Sequence, residues 1–188
     1  MGRIKIIYAD PPWHYNDRAL AGRRGASCKY PVMSVNDIKN LRIQLPKKHY
    51  WNPVFIKDIA HKNCCLFLWA TAPQLPVAFE VIKAWGFAYK TIAFTWVKKY
   101  ENGNTFMGMG NWTRSNAEIC LLAVKGKPKR INAGIRQIVE SVPEGHSKKP
   151  DEVRERIEKL CGKTLRLELF ARQKTKGWSC HGDELSKV

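Results

Sequence analysis

Apolar residues along the chain fall into short runs that end at proline, glycine or polar residues, a pattern typical of strands in a sheet. The first run, at 4–9, is rich in β-branched residues and stops at Asp10-Pro11-Pro12. The run CCLFLWA at 64–70 is apolar throughout, which predicts a central strand covered on both faces. Further strands are predicted at 87–98, 118–125, 165–171 and 178–182.

Helices are predicted between these strands from capping residues and helical spacing. Ser34 caps the segment SVNDIKNL, and Pro53 takes an early helical position in PVFIKDIAH. The segment PQLPVAFEVIKAW is predicted to be helical until Gly86. A last helix, DEVRERIEKL, starts at Asp151 with acids in its first turns and stops at Gly162.

The alternation of strand and helix predicts an α/β sandwich with a mostly parallel sheet. The chain has 188 residues, which is enough for one domain with a real core and short for two, so we expect a single domain over 1–188. A hydrophobic content of 44% argues against disorder. The stretch from Gly126 to HSKKP is predicted to be irregular, basic surface.

Net charge adds a partner to this picture, because 33 Lys and Arg against 16 Asp and Glu leave a formal +17. Scattered, solvated lysines account for part of the excess. A compact chain with this charge nevertheless favours nucleic acid, which releases counterions on binding, over an acidic protein or a membrane. The basic residues form short clusters at 18–24, 47–48, 98–99, 125–130, 148–149 and 172–176.

Six cysteines without a CxxC pair fit a reducing compartment better than a disulfide framework. Cys180-His181 lacks a second pair at ligand spacing, so we predict no metal site. The N-terminal apolar run is interrupted by Arg3 and Lys5, and no segment reaches transmembrane length. We therefore expect a cytoplasmic or nucleoid-associated protein with no membrane partner.

The stretch YADPPWHY at 8–15 places an acid where a ligand is expected, beyond the carboxyl end of a strand. Two prolines make a stiff turn whose carbonyl groups no regular element uses, so Pro11 can aim its carbonyl beside the Asp10 carboxylate. Together they suit an exocyclic amine with two hydrogens, such as adenine N6, and Trp13 offers a face on which the base can stack. The alternative is a plain turn with Trp13 in the core; His14 and Tyr15 receive no role.

Two acceptors at such an amine would make chemistry possible as well as binding. The nitrogen is a poor nucleophile because its lone pair is delocalised, and two acceptors favour pyramidalisation and stabilise the positive charge that develops during attack. The missing reactant is an electrophile, and a sulfonium methyl group fits. We therefore predict a methyl-transfer site around Asp10, Pro11, Pro12 and Trp13.

Seven collinear motifs carry a resemblance over nearly the whole chain: ADPPW at 9–13, YPVMSVNDI at 30–38, LFLWAT at 66–71, WGFAYKTIAFTWVK at 85–98, GMGNWTRSNAEICLLAVKGKP ending at 128, HSKKPDEV at 146–153, and LELFAR with GW and GDE at 167–184. With them the sequence resembles the DPPW-type N6-adenine methyltransferases. That family includes the catalytic subunit of the eukaryotic mRNA adenosine methyltransferase and short prokaryotic and phage enzymes.

The resemblance implies a Rossmann-like fold with helices on both faces and the catalytic motif ahead of the cofactor motif. It implies S-adenosyl-L-methionine as donor and adenine in nucleic acid as acceptor, with the base flipped or taken from a single strand. The compact, prokaryote-like chain favours DNA over RNA, and an RNA N6-adenosine methyltransferase is the alternative. Asp10 to Trp13 would hold the adenine. The cofactor positions that match are His146, Ser147, Lys149, Arg172, Lys174, Asp183 and Glu184.

GMGNWTR lacks the third glycine of a dinucleotide fingerprint and leads into a strand, so that interpretation fails. The resemblance instead implies a substrate-side loop or gate with Asn111, Trp112, Arg114 and Asn116. From spacing alone, other roles stay open: Lys149 as a surface lysine, Arg172 and Lys174 as phosphate contacts, and Asp183 and Glu184 as a solvated terminus.

Two rival functions remain at this stage. A catalytically silent nucleic-acid-binding subunit on the same fold has no need for Asp10, and a generic basic α/β protein leaves the collinear motifs unexplained. The short stretch before Asp10 leaves out upstream cofactor contacts of larger relatives, and we expect no separate target-recognition domain. Selectivity is then loose, or supplied by a partner or a homodimer.

Overall fold

The computed structural model describes residues 3–14, 32–44, 52–108, 110, 112–144 and 148–186. The strands in this part of the chain are β1 (Ile4–Ala9), β2 (Arg42–Ile43), β3 (Val54–Phe55), β4 (Ala60–Ala70), β5 (Ala88–Lys98), β6 (Ala117–Lys125), β7 (Ile138–Ser141), β8 (Arg166–Leu169) and β9 (Ser179–His181). The helices are α1 (Val35–Lys39), α2 (Ile56–Ile59), α3 (Leu75–Ala84) and α4 (Asp151–Cys161), with 3-10 turns at Ala72–Gln74 and Asp183–Ser186.

Seven strands form one sheet in the order β7-β5-β6-β4-β1-β8-β9, and β2 pairs with β3 separately. Four neighbouring pairs are parallel, namely β1 with β4, β1 with β8, β5 with β7 and β8 with β9. Only β6 runs against its neighbours β4 and β5 within this sheet. The mostly parallel sheet that the sequence predicted is confirmed.

The strands β1, β5 and β8 all end at the same edge of the sheet, which we call the carboxyl edge, at Ala9, Lys98 and Leu169. β1 lies between β4 and β8, with Tyr8 opposite Phe67 on one side and Glu168 on the other. The residue that follows β1, Asp10, is therefore delivered to the middle of this edge.

Helices cover both faces of the sheet. Along β1, Ile7 packs in a core with Ile38 of α1 and Val81 of α3, whereas the neighbouring Tyr8 packs in a second core with Val153 of α4. This alternation follows from the period-2 side-chain direction of a strand. It also explains why CCLFLWA in β4 is apolar at every position, since both of its faces are covered.

Most predicted elements are confirmed, with two differences. Pro53 does not begin a helix; it precedes β3, and α2 starts only at Ile56. The region after Gly126, predicted to be irregular, contains β7, which pairs with the end of β5 from Thr95 to Lys98. Within the described residues, none of the helices has the length and apolarity that spanning a membrane requires.

Candidate active site

The turn Asp10-Pro11-Pro12-Trp13 is fixed by hydrogen bonds at both ends. The Trp13 N–H donates to the Pro11 carbonyl oxygen at 2.8 Å, and the Met33 N–H donates to that of Pro12 at 3.0 Å. The Trp13 indole N–H donates to the Trp69 carbonyl oxygen at 3.0 Å, across to the end of β4. Proline has no N–H and a fixed φ, so the two prolines cannot continue a regular strand or helix. Their carbonyl groups therefore accept hydrogen bonds from Trp13 and Met33 instead.

Trp13 lies differently from what the sequence predicted. Its side chain is 5% exposed and belongs to the core beneath the turn, so the structure does not present its ring as an open stacking face. The Pro11 carbonyl oxygen already accepts one hydrogen bond, and its second lone pair is able to accept another. Trp13 thus anchors the turn that carries Asp10.

Four charged side chains form a chain across the carboxyl edge. The Lys149 ammonium lies 2.8 Å from Asp10 Oδ2 and 3.2 Å from Glu118 Oε2. Glu118, at the start of β6, also pairs through Oε1 with Lys98 at the end of β5, at 2.5 Å. Lys149 is 6% exposed, and its ammonium lies 5.5 Å from the centre of the Trp69 ring. The buried lysine is therefore held between two carboxylates over an aromatic surface.

Burial and pairing move the pKa values in this chain in different directions. Burial raises the pKa of Asp10, although Lys149 works against it. Burial also acts to raise the pKa of Glu118, but Lys149 and Lys98 together outweigh it and hold that pKa below its usual value. Burial opposes the charge of Lys149, yet Asp10 and Glu118 raise its pKa overall. Asp10 is the member whose charged form is least stabilised.

A cavity of about 270 Å³ opens beside Asp10, between the end of β8 and the start of α4. Its lining is rich in both cations and carboxylates, namely Lys148, Lys149, Arg154, Arg172, Asp10, Glu144 and Glu168. Glu168 Oε1 accepts a hydrogen bond from Arg154 at 2.8 Å, while its Oε2 is buried without a hydrogen-bond partner. Such an atom suits a ligand that donates a hydrogen bond.

The predicted cofactor residues fall into four groups. Lys149 and Arg172 line the cavity, and Arg172 pairs with Glu184 at 3.9 Å. Asp183 and Glu184 begin the 3-10 turn that follows β9 at the carboxyl edge. Lys174 is exposed. The predicted residues His146 and Ser147 lie outside the described residues.

The predicted substrate loop runs into the first residues of β6. The Lys98 N–H donates to the Asn116 carbonyl oxygen at 2.8 Å, which ties this loop to the end of β5. Trp112 and Arg114 are exposed to solvent, and Asn111 lies outside the described residues. The loop thus adjoins the charged chain at Lys98 and Glu118.

Sequence reasoning missed Lys98, Glu118, Arg154 and Glu168 as site residues. A signal was present in the two acids, since each sits within an otherwise apolar strand segment, EICLLAV and LELFA. A charged residue is almost never buried in a strand unless it is paired. Its partner becomes visible only when the sheet order is known.

The chain is similar to known proteins over almost its whole length. The MT-A70 family model matches residues 4–184. Over 201 residues the chain is 30% identical to a protein of a Mycoplasma species named type II methyltransferase M.MunI, covering 97% of this chain and 78% of that protein. It is 25% identical over 197 residues to the human N(6)-adenosine-methyltransferase catalytic subunit METTL3, covering 100% of this chain but 29% of that protein. An Arabidopsis thaliana protein named N(6)-adenosine-methyltransferase MT-A70-like is 28% identical over 199 residues, with 100% of this chain and 24% of that protein covered.

Proposed function

Because the chain belongs to the MT-A70 family, we propose that it transfers a methyl group from S-adenosyl-L-methionine to the N6 amino group of adenine in nucleic acid. The observation that carries the proposal is the placement of Asp10. Its carboxylate stands at the carboxyl edge of a parallel strand, beside a cavity, with the ammonium of Lys149 at 2.8 Å.

The residues around the cavity fit S-adenosyl-L-methionine, the methyl donor. Its amino acid portion carries a carboxylate and an ammonium group, and its ribose carries hydroxyl donors. Arg172 and Lys149 suit the carboxylate, and the unpartnered Glu168 Oε2 suits a donor. When bound, this cofactor supplies an electrophilic methyl group. We propose that Lys149, Arg172, Asp183 and Glu184 hold it, together with His146, Ser147 and Lys174 as the resemblance implies.

Asp10 and Pro11 prepare the amine for attack. The Asp10 carboxylate accepts one N6 hydrogen, and the free lone pair of the Pro11 carbonyl accepts the other. Two acceptors on one nitrogen stabilise the positive charge that develops on it. Pro12 and Trp13 act by position, since the stiff turn and the buried indole fix the direction of both acceptors.

The extra proton on the methylated nitrogen leaves through Asp10. An aspartate whose pKa is raised by burial is a better proton acceptor than an exposed one, and Lys149 moderates that rise. The same carboxylate is therefore first an acceptor that orients the amine and then the base that restores it to neutrality.

We propose DNA as the substrate ahead of RNA. The chain spans 78% of the type II methyltransferase from Mycoplasma, but only 29% of the human protein whose name specifies adenosine, the ribonucleoside. The base is taken from a single strand or flipped from a duplex, because stacking shields the amine from in-line attack. Trp112, Arg114 and Asn116, with Asn111, are proposed to frame it. We further propose a single domain over 1–188, a cytoplasmic location at the nucleoid, and a partner or second copy as the source of any added selectivity.

The test is an assay with labelled S-adenosyl-L-methionine and single-stranded DNA, duplex DNA or RNA, with the modified nucleoside identified by mass spectrometry. N6-methyldeoxyadenosine from DNA is the expected product, and Asp10→Ala abolishes it while cofactor binding, measured by calorimetry, persists. Methylation that survives Asp10→Ala removes Asp10 from the mechanism. Cofactor binding without product on any nucleic acid favours the silent, nucleic-acid-binding alternative.

A further inference from the structure

A second concave site lies at the carboxyl edge, beyond the end of β5. It is a groove of about 540 Å³ between the hairpin 99–106 and the segment that follows β7. We call it the aromatic groove and define it by Tyr100, Phe106, Val142 and Pro143. The ring centres of Tyr100 and Phe106 are 5.0 Å apart and tilted by 47°. Tyr100 and Val142 are each 42% exposed, so apolar surface faces solvent here.

The groove is held open by backbone hydrogen bonds. The Tyr100 N–H donates to the Asn104 carbonyl oxygen at 2.8 Å, and the Phe106 N–H donates to that of Lys98 at 2.9 Å. On the other wall, the Lys99 N–H donates to the Ser141 carbonyl oxygen at 3.0 Å, and its ammonium pairs with Glu140 at 3.0 Å. Lys99 and Phe106, at the two ends of the hairpin, are thus hydrogen-bonded to the neighbouring strands, and the aromatic surface is preformed.

The groove is connected to the candidate active site through Lys98. Lys98 ends β5 immediately before the hairpin, and its side chain pairs with Glu118, which in turn pairs with Lys149. β5 is three strands away from β1 in the sheet order, which is about 14 Å at the usual strand spacing. A nucleic-acid strand with its target base at Asp10 reaches that far with its next few nucleotides.

We propose that the aromatic groove binds one nucleobase of the substrate strand, a few nucleotides from the target adenine, by stacking on Tyr100. This inference rests on the proposed function, because the strand must already be engaged at Asp10. The groove offers an aromatic ring for stacking and is lined by both Lys99 and Glu101, and base–aromatic stacking supplies much of the affinity in non-sequence-specific single-strand binding. The excess of positive charge in the whole chain points to the same polyanionic partner.

The chain offers a matched control for Tyr100. Tyr89 is also 42% exposed, and it also packs against a second aromatic ring, that of Phe79, with 5.0 Å between centres. It lies near the beginning of β5, at the end away from Asp10. Tyr89→Ala therefore removes the same kind of ring, with the same exposure, at the end of β5 that is opposite to the hairpin of Tyr100.

The experiment measures binding of a fluorescent single-stranded DNA containing one adenine, by anisotropy, for the full chain. Tyr100→Ala is expected to weaken binding about tenfold, a typical stacking contribution, and Tyr89→Ala to change it less than twofold. Tyr100→Phe should bind like the wild type, because it keeps the ring. It loses only the hydroxyl that accepts a hydrogen bond from the Met107 N–H at 3.3 Å, so a purely structural role would show in this variant.

A series of strands with one abasic position on either side of the adenine locates the contact. At the position that occupies the groove, the difference between wild type and Tyr100→Ala is expected to disappear. Equal effects of Tyr100→Ala and Tyr89→Ala, no abasic position that removes the difference, or no strand binding by the wild type each overturn the inference. A dimer that dissociates in Tyr100→Ala, seen by sedimentation, reassigns the groove to a second copy and overturns it as well. Failure of methyl transfer with the Tyr100 effect intact counts against the proposed function alone.

Discussion

The charged form of Asp10 is poorly stabilised, so the ionised carboxylate that the proposed reaction needs lowers the stability of the fold. Because burial raises the pKa of Asp10, its protonated form contributes stability below the unfolded pKa, and that contribution is lost as pH rises through the folded pKa. At neutral pH the ionised carboxylate therefore destabilises the fold. The buried Lys149 ammonium would keep a carboxylate partner without Asp10, since Glu118 Oε2 lies 3.2 Å from it.

We therefore expect Asp10→Asn to separate stability from activity. The amide cannot accept a proton and is a weaker acceptor, so kcat/KM should fall about 10²- to 10³-fold. The free energy of unfolding at pH 7, from urea titration, should stay equal or rise. If the free energy of unfolding falls by more than about 1 kcal/mol, the ion pair of Asp10 with Lys149 stabilises the fold, and this expectation is wrong.

Glu118 is expected to set the pH dependence of the reaction through Asp10. Its negative charge raises the pKa of Asp10, and it shares Lys149 with it. In Glu118→Gln, the pKa of Asp10 should fall, so the acidic limb of kcat/KM against pH should move to lower pH. Glu80→Gln, which removes a carboxylate paired with Lys39 at an exposed position, is the control and should leave the limb in place. An unmoved limb in Glu118→Gln would detach that limb from Asp10.

The part of the site that the sequence predicts is the part carried by short motifs. Asp10 is predicted from its place at the end of a strand, and Lys149 and Arg172 are predicted from the resemblance; the structure brings all three to one cavity. Glu118 and Lys98 were not predicted as site residues, because their proximity to Asp10 depends on which strands are neighbours in the sheet. The buried state of Trp13 was only the alternative at the level of sequence, because the partner of its indole N–H, the Trp69 carbonyl oxygen, lies 56 residues away in the chain.

At the scale of elements, the same division holds for the fold. β1, α1, α3 and α4 follow from local signals, such as the Ser34 hydroxyl that caps α1. β7 has four residues in a basic, glycine-containing region, and it exists because the end of β5 pairs with it. Pro53 was assigned to a helix by local preference, but pairing of β3 with β2 takes the residues that follow it.

The junction after β6 gives a prediction about element packing. Gly126 has a φ of +65°, and a Cβ built on it would lie 2.1 Å from the Lys62 carbonyl oxygen. Gly86, after α3, has a similar φ of +79°, but its nearest contact would be an ordinary 3.5 Å. Gly86→Ala should therefore cost about 1–2 kcal/mol from backbone strain alone. Gly126→Ala should cost clearly more, because β4 and β6 must also separate.

Urea unfolding of the two variants measures the difference. Equal losses at Gly86 and Gly126 would show that the loop between β6 and residue 127 shifts freely, and that its contact with β4 does not hold the sheet together. The Lys127 N–H that donates to Asn63 Oδ1 at 3.0 Å argues against such freedom, because it fixes the same junction.

At the scale of the whole molecule, the positive charge is largely uncompensated. The chain has 33 Lys and Arg against 16 Asp and Glu, and several acids are already committed to internal pairs, among them Glu118 with Lys98 and Glu168 with Arg154. Within the described residues, the cations Lys127, Lys129 and Arg130 take part in no ion pair. Binding of nucleic acid should therefore release many counterions.

We expect the logarithm of the association constant for single-stranded DNA to fall linearly with the logarithm of salt concentration, with a slope of about −3 or steeper, corresponding to four or more neutralised phosphates. Lys149 is buried and its partners Asp10 and Glu118 are partly buried, so salt screens the charges within this group only weakly. Turnover at saturating DNA should accordingly vary little over the same salt range. Anisotropy titrations and methyl-transfer rates, each measured between about 50 and 300 mM salt, a range over which the Debye length shortens, separate the two. A slope near zero would mean that the excess charge serves some partner other than the strand that reaches Asp10.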